Sequence, residues 1–143
     1  MTRREKQVVR ESFRSVGDVA EALSLLFYGR LFEREPGLRP MFRGDIAAQG
    51  RKLMEMLAAV VENLDRAESM TPVLQAMGQR HAGYGVTDRH YDVVEEALLW
   101  ALGQALEANF DAEARGAWRA VIGQVSAAMK EGAAMLPPPV LRT

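Results

Sequence analysis

The chain has 143 residues, a formal net charge of −1 and no cysteine. That length suits one domain with a self-sufficient core. The missing thiols exclude a disulfide scaffold, thiolate metal ligation and a cysteine nucleophile, and the balanced charge leaves no electrostatic footprint for nucleic acid or an anionic membrane. The opening Met1–Phe13 stretch has no apolar core of a secretory signal, and no apolar run approaches a spanning helix. A soluble, cytoplasmic protein is expected.

Ala, Leu, Glu, Arg and Met dominate, and Val/Ile/Thr runs with period two are missing, so the chain is expected to be all-α. Thr2–Glu5 ("TRRE") has the pattern of a capping box and predicts a first helix over 3–16, ending before Gly17. A second helix is expected over 19–35. Pro36, Gly37 and Pro40 then forbid a continuous helix and allow one short turn over 36–42. Leu53, Leu57, Val60, Val61 and Leu64 recur at helical spacing and predict 46–64. Thr71–Pro72 has the form of a cap followed by proline at the first helical position, predicting 71–83. Thr87 or Asp88 opens 88–108, with Val94, Leu98, Ala101 and Leu102 as its apolar stripe. Asp111 opens 111–135, with Trp118, Val121, Ile122, Val125 and Met129. The expected domain is 1–136, followed by a proline-rich, non-helical tail over 137–143. Short connections between such helices predict a compact helical fold.

The chemistry-bearing residue types are few. The HExxH, phosphate-loop, GxGxxG and GxSxG patterns are absent from the sequence. The two histidines, His81 and His90, lie nine apart and do not share a helical face. A stand-alone hydrolase is therefore poorly supported. Leu74, Met77 and His81 are spaced i, i+3, i+7, which puts the imidazole on the apolar stripe of its helix. Such a histidine is either a core residue bonded to a carbonyl or a single axial ligand to a haem iron. His90 falls in the first turn of the next helix, where an exposed or capping side chain is expected. Tyr28 and Gln49 are polar residues in apolar surroundings, and Gln49 and Leu53 share a face at i, i+4.

Four stretches combine into a family pattern: "LFYGRLFEREPGLRPMF" (26–42), "QGRKLMEML" (49–57), "MGQRHAGYGVTDRHYDVVEEALL" (77–99) and "GAWRAVIG" (116–123). In their order and spacing the chain resembles the globins over about residues 3–135. It looks most like single-domain bacterial haemoglobins of the Hell's Gate type, and is more distantly similar to neuroglobins and flavohaemoglobin haem domains. The resemblance implies a globin fold, three helices over three around the cofactor, and one haem b (iron protoporphyrin IX).

By the same resemblance His81 is the proximal ligand and metal-binding residue. Phe42 packs on the porphyrin, and Gln49 and Tyr28 take the distal positions facing a bound gas. Leu53 lies one turn beyond Gln49. Val86 and Val94 contact the haem near the proximal side, and Met77 and Leu98 also belong to the expected pocket. Lys52, beside Arg51, lies where a basic side chain reaches a propionate. Tyr91 matches a tyrosine that in flavohaemoglobins joins the proximal histidine and a glutamate. Here the glutamate position falls on Ala133, and Glu131 lies two residues earlier on another face, so the associated electronic push is not expected.

The implied function is reversible, high-affinity binding of O2, with CO and NO as further ligands, at a five-coordinate ferrous haem. Tyr28 and Gln49 are expected to donate hydrogen bonds to the gas and slow its release. The alternatives are a nitric oxide dioxygenase served by an external reductase, no reductase domain being expected within the chain, and a haem-based gas sensor. Outside haem chemistry, a helical interaction module remains.

Overall fold

The computed structural model describes residues 1–42 and 44–135. Among these, α1 (Arg3–Arg14), α2 (Ala20–Arg34), α3 (Ile46–Glu62), α4 (Ala67–Gly83), α5 (Asp88–Leu106) and α6 (Ala112–Ala134) carry the fold, with short 3-10 turns in every connection except that between α4 and α5. The expected tail over 137–143 lies outside the described residues.

The helix starts follow the local chemistry. The Thr2 hydroxyl accepts from the Glu5 N–H at 3.0 Å, and the Glu5 carboxylate accepts from the Thr2 N–H at 2.8 Å, a complete capping box. Asp45 accepts from Ala47 N–H and Asp111 from Ala114 N–H, each filling an orphan donor at the start of α3 or α6. At α5, the His90 Nδ1 accepts the Thr87 N–H at 3.0 Å, so His90 is a capping side chain. Pro36, Gly37 and Pro40 give the expected short turn, Pro36–Met41.

One start differs. The sequence suggests that α4 begins at Thr71–Pro72, yet it begins at Ala67 and carries Pro72 in its interior. Pro72 has no N–H for the Glu68 carbonyl, so that helical bond is missing, while the 3-10 turn Leu64–Arg66 feeds the chain directly into the earlier turn.

Helix α2 packs on α3 and α5, and α6 packs on α1, α4 and α5. The core between them is closed by Trp118, 0% exposed, with Leu23, Leu31, Leu102, Val9, Val16 and Val121 fully covered. Burying each such leucine contributes about 1.5–3 kcal/mol. The Trp118 indole N–H is satisfied by the Ser12 hydroxyl at 2.7 Å, and that hydroxyl itself donates to the Val8 carbonyl at 2.8 Å. A smaller cluster of Leu74, Tyr91 and Met129 stands apart from this core.

From the turn at Leu64–Arg66, α3 and α4 part company: α3 lies against α2, and α4 lies against α6 rather than α3. His81 on α4 and Gln49 and Leu53 on α3 therefore sit on helices held by different neighbours. No helix among the described residues is long and apolar enough to cross a membrane.

Candidate functional site

The α4 side of the candidate site is built around His81. Its Nδ1 lies 2.7 Å from the carbonyl of Met77, one turn earlier on the same helix. A carbonyl only accepts, so Nδ1 carries the proton and the ring is the tautomer whose Nε2 holds a free lone pair. Among the described residues nothing hydrogen-bonds Nε2. The helix ends just beyond, by a motif that explains the spacing of His81, Gly85 and Val86. The Val86 N–H bonds the His81 carbonyl at 3.0 Å and the Gly85 N–H bonds the Ala82 carbonyl at 3.0 Å. Gly85 takes φ +97°, the left-handed conformation such an exit requires. Val86 is thereby folded back against Leu74, Tyr91 and Met129. Tyr84, 63% exposed, stands edge-on to the His81 ring at 5.9 Å.

Tyr91 is 6% exposed, and its hydroxyl is buried with no hydrogen-bond partner among the described residues. Burial, with a smaller contribution from Asp88, pushes its phenol pKa up. Glu131, the nearest carboxylate in sequence to the expected position, accepts instead from Gln75 Nε2 at 3.0 Å on the exposed side of α6. Among the described residues Glu131 therefore bonds Gln75 and makes no hydrogen bond to Tyr91.

Tyr28, Phe42, Gln49 and Leu53 come from α2, α3 and the connection between them. These helices cross where Gly50 meets Ser24: a Cβ on Gly50 would lie 2.7 Å from the Ser24 Oγ and 2.9 Å from its Cβ. Tyr28 lies one turn after Ser24 on α2. Tyr28 is 5% exposed. Its ring packs against Phe27 at 4.9 Å, Phe42 at 5.4 Å and Phe32 at 6.0 Å. Burial pushes its phenol up to about 12, so it stays a neutral O–H donor throughout the physiological range. Among the described residues nothing hydrogen-bonds that hydroxyl. Gln49 is half-buried one position before the crossing, and its side-chain amide has no hydrogen bond among the described residues.

The structure thus brings Tyr28 and Phe42 into direct contact and holds His81 separately on α4. Phe42, Leu53, Met77, Val86 and Val94 are half-buried. Leu98 is covered by the main core. Lys52 and Arg51 are exposed on α3. Sequence reasoning missed Phe27 and Phe32 as partners of Tyr28, although Phe32 sits one turn after it. It also missed the Ser24–Gly50 contact, for which a single glycine in a helix gives no signal.

These residues fit a haem. A haem iron would need a single protein ligand, because its macrocycle supplies most of the others. His81 offers the one further nitrogen. The half-buried apolar side chains would be covered by a flat apolar group, and the unpaired Tyr28 hydroxyl faces no competing acceptor among the described residues.

Comparison with known proteins agrees. The family model described as Globin matches residues 25–129. The chain belongs to the globin family, haem proteins that hold small gaseous ligands. It is similar to Neuroglobin-1 of Oncorhynchus mykiss, 29% identical over 146 residues and 92% of each chain. It is also similar to the anaerobic nitrite reductase NSHB5 of Oryza sativa subsp. indica, 27% identical over 133 residues, covering 89% of this chain and 92% of the relative. A bacterial globin from Campylobacter jejuni has the same fold, with a TM-score of 0.81 at 22% identity over 94% of this chain and 97% of that one.

Proposed function

We propose that the chain binds one haem b between α3 and α4, with His81 Nε2 as the protein ligand to iron, and that it binds dioxygen reversibly and tightly. When bound, the haem supplies an iron with one position open to a diatomic gas. Everything else is the work of the chain. The Met77 carbonyl fixes the tautomer of His81, and Val86 and Met77 keep the α4 side apolar. Neither Gln49 nor Leu53 is a good ligand for iron, so the distal side stays open.

Selectivity then rests on Tyr28 and Gln49. A dioxygen molecule held there would be polarised and would accept hydrogen bonds with charge assistance. Tyr28 donates O–H and Gln49 donates N–H. Carbon monoxide is less polarised and gains less. The observation that carries this reading is the neutral hydroxyl of the buried Tyr28 side chain, which no described residue hydrogen-bonds. A hydrogen bond to a charged acceptor is worth about 1.5–3 kcal/mol, or roughly 10- to 150-fold in affinity. Tyr28→Phe should therefore release oxygen about 10- to 150-fold faster. An unchanged dissociation rate would sink the assignment.

A second reading, turnover of nitrogen oxides with an outside electron donor, has one observation in its favour: the rice relative's name is anaerobic nitrite reductase. Consumption of nitrite without oxygen, over many turnovers and with a reductant present, supports it. Consumption that stops at one equivalent per haem counts against it.

A further inference from the structure

Two glycines hold α4 on α6 at backbone contact. A Cβ built on Gly78 would overlap the carbonyl of Met129, and one built on Gly132 would overlap the carbonyl of Gln75. The pairs are reciprocal. Gln75 and Gly78 are three apart on α4, Met129 and Gly132 are three apart on α6, and the order is antiparallel. Each glycine Cα thus lies against a carbonyl oxygen of the other helix, the arrangement of Cα–H···O contacts between closely packed helices. Two side chains extend the clamp. Gln75 Nε2 donates to Glu131 at 3.0 Å, and Gln79 Nε2 donates to the Met135 carbonyl at 2.8 Å. On the other side, α4 has no comparable packing on α3. The helix that bears His81 is therefore located by α6.

Resting on the haem assignment above, we propose that Gly78 and Gly132 are positioning residues for His81, setting the height and tilt of its imidazole. His81 follows Gly78 by three residues, so its side chain projects about 60° round the helix from the clamp. Any side chain at either glycine must push two backbones apart, and backbone cannot rotate out of the way as a side chain can. The displacement passes straight to His81 through the Met77–His81 turn.

The test compares two glycines of the same helix. Gly132 is clamped, whereas a Cβ on Gly123 meets nothing within 4 Å. In the ferrous, haem-loaded protein, Gly132→Ala is expected to shift the iron–histidine stretching band in the resonance Raman spectrum and change the gas dissociation rate. The C–O stretch of the carbon monoxide complex, which reports the Tyr28 side, is expected to stay in place. Gly123→Ala should leave all three unchanged. A Gly132→Ala protein that takes up haem and shows the wild-type iron–histidine band overturns the proposal. Should Gly132→Ala fail to take up haem, the Gln75→Ala/Gln79→Ala variant decides. It adds no atom and loosens the same clamp, so its band should broaden and move, and a wild-type band there overturns the proposal. If the wild-type chain itself takes up no haem, the functional assignment has failed first; a haem-loaded wild type with insensitive variants removes the positioning role alone.

Discussion

The His81 Nδ1 donates to the carbonyl of Met77 at 2.7 Å, and that acceptor decides what kind of ligand the imidazole is. A carbonyl steers the tautomer without drawing the proton off the ring; a carboxylate would pull the ring toward imidazolate and make it a stronger donor to metal.

The iron–histidine stretch should therefore lie in the range of a neutral imidazole. Glu131 is bonded to Gln75, and the Tyr91 hydroxyl has no partner among the described residues. Glu131→Gln and Tyr91→Phe should each leave that band in place by resonance Raman. Tyr91→Phe removes a buried, unsatisfied hydroxyl, so its melting temperature should equal or exceed the wild type's. A lowered band in Tyr91→Phe, or one in Glu131→Gln without the broadening of a loosened α4–α6 clamp, would show that a phenol or carboxylate reaches the proximal ring.

Tyr28 sets an alkaline limit. Burial pushes its phenol from the ordinary 10.0 of an exposed tyrosine up to about 12 in the folded state. The folded state therefore holds the proton more firmly. That contribution is fully present below pH 10 and is lost as pH rises from about 10 to about 12. Chemical denaturation across this range should show a shallower loss of stability in Tyr28→Phe than in the wild type. Parallel losses would mean that the hydroxyl is solvated.

Ser12 satisfies the indole N–H of Trp118, whose side chain is completely buried. Ser12→Ala leaves that donor unpaired in the core. The expected cost is about 1–3 kcal/mol in urea denaturation, with gas binding unaffected because the pair lies between α1 and α6. A change below half a kcal/mol, on the order of ordinary surface substitutions, would mean that water replaces the hydroxyl.

Glu107 follows α5 with φ 50° and ψ −116°, a conformation that favours glycine over residues with a Cβ. Glu107→Gly should stabilise the protein by about 1 kcal/mol, raising the melting temperature by roughly 3 °C. A lowered melting temperature would show that the Glu107 side chain contributes more than its backbone strain costs.

Much of this was legible in the sequence because the signals are local. The Thr2–Glu5 capping box, the Pro36–Pro40 interruption and the apolar spacing of Leu53 to Val61 each act within a few residues of themselves. His81 could be separated from His90 because its face is apolar, while His90 sits in a first turn where a capping contact is natural. Pro72 misled because proline prefers a helix start, yet the preceding turn fixed an earlier one. The glycines were opaque for a different reason. Gly50, Gly78 and Gly132 have the same local appearance as Gly116 and Gly123, and only the partner helix shows which of them must lack a side chain. The unpaired state of Tyr28 likewise depends on Phe27, Phe32 and Phe42 surrounding it.

The central claim is that this chain carries haem through His81. Haem titrated into the haem-free protein, followed by absorbance in the Soret region, tests it most directly. A sharp Soret band saturating at a single haem per chain, with the loss of that band in His81→Ala and its return on adding imidazole, is the predicted result. No saturable Soret band in the wild type, or an identical titration in His81→Ala, would contradict it.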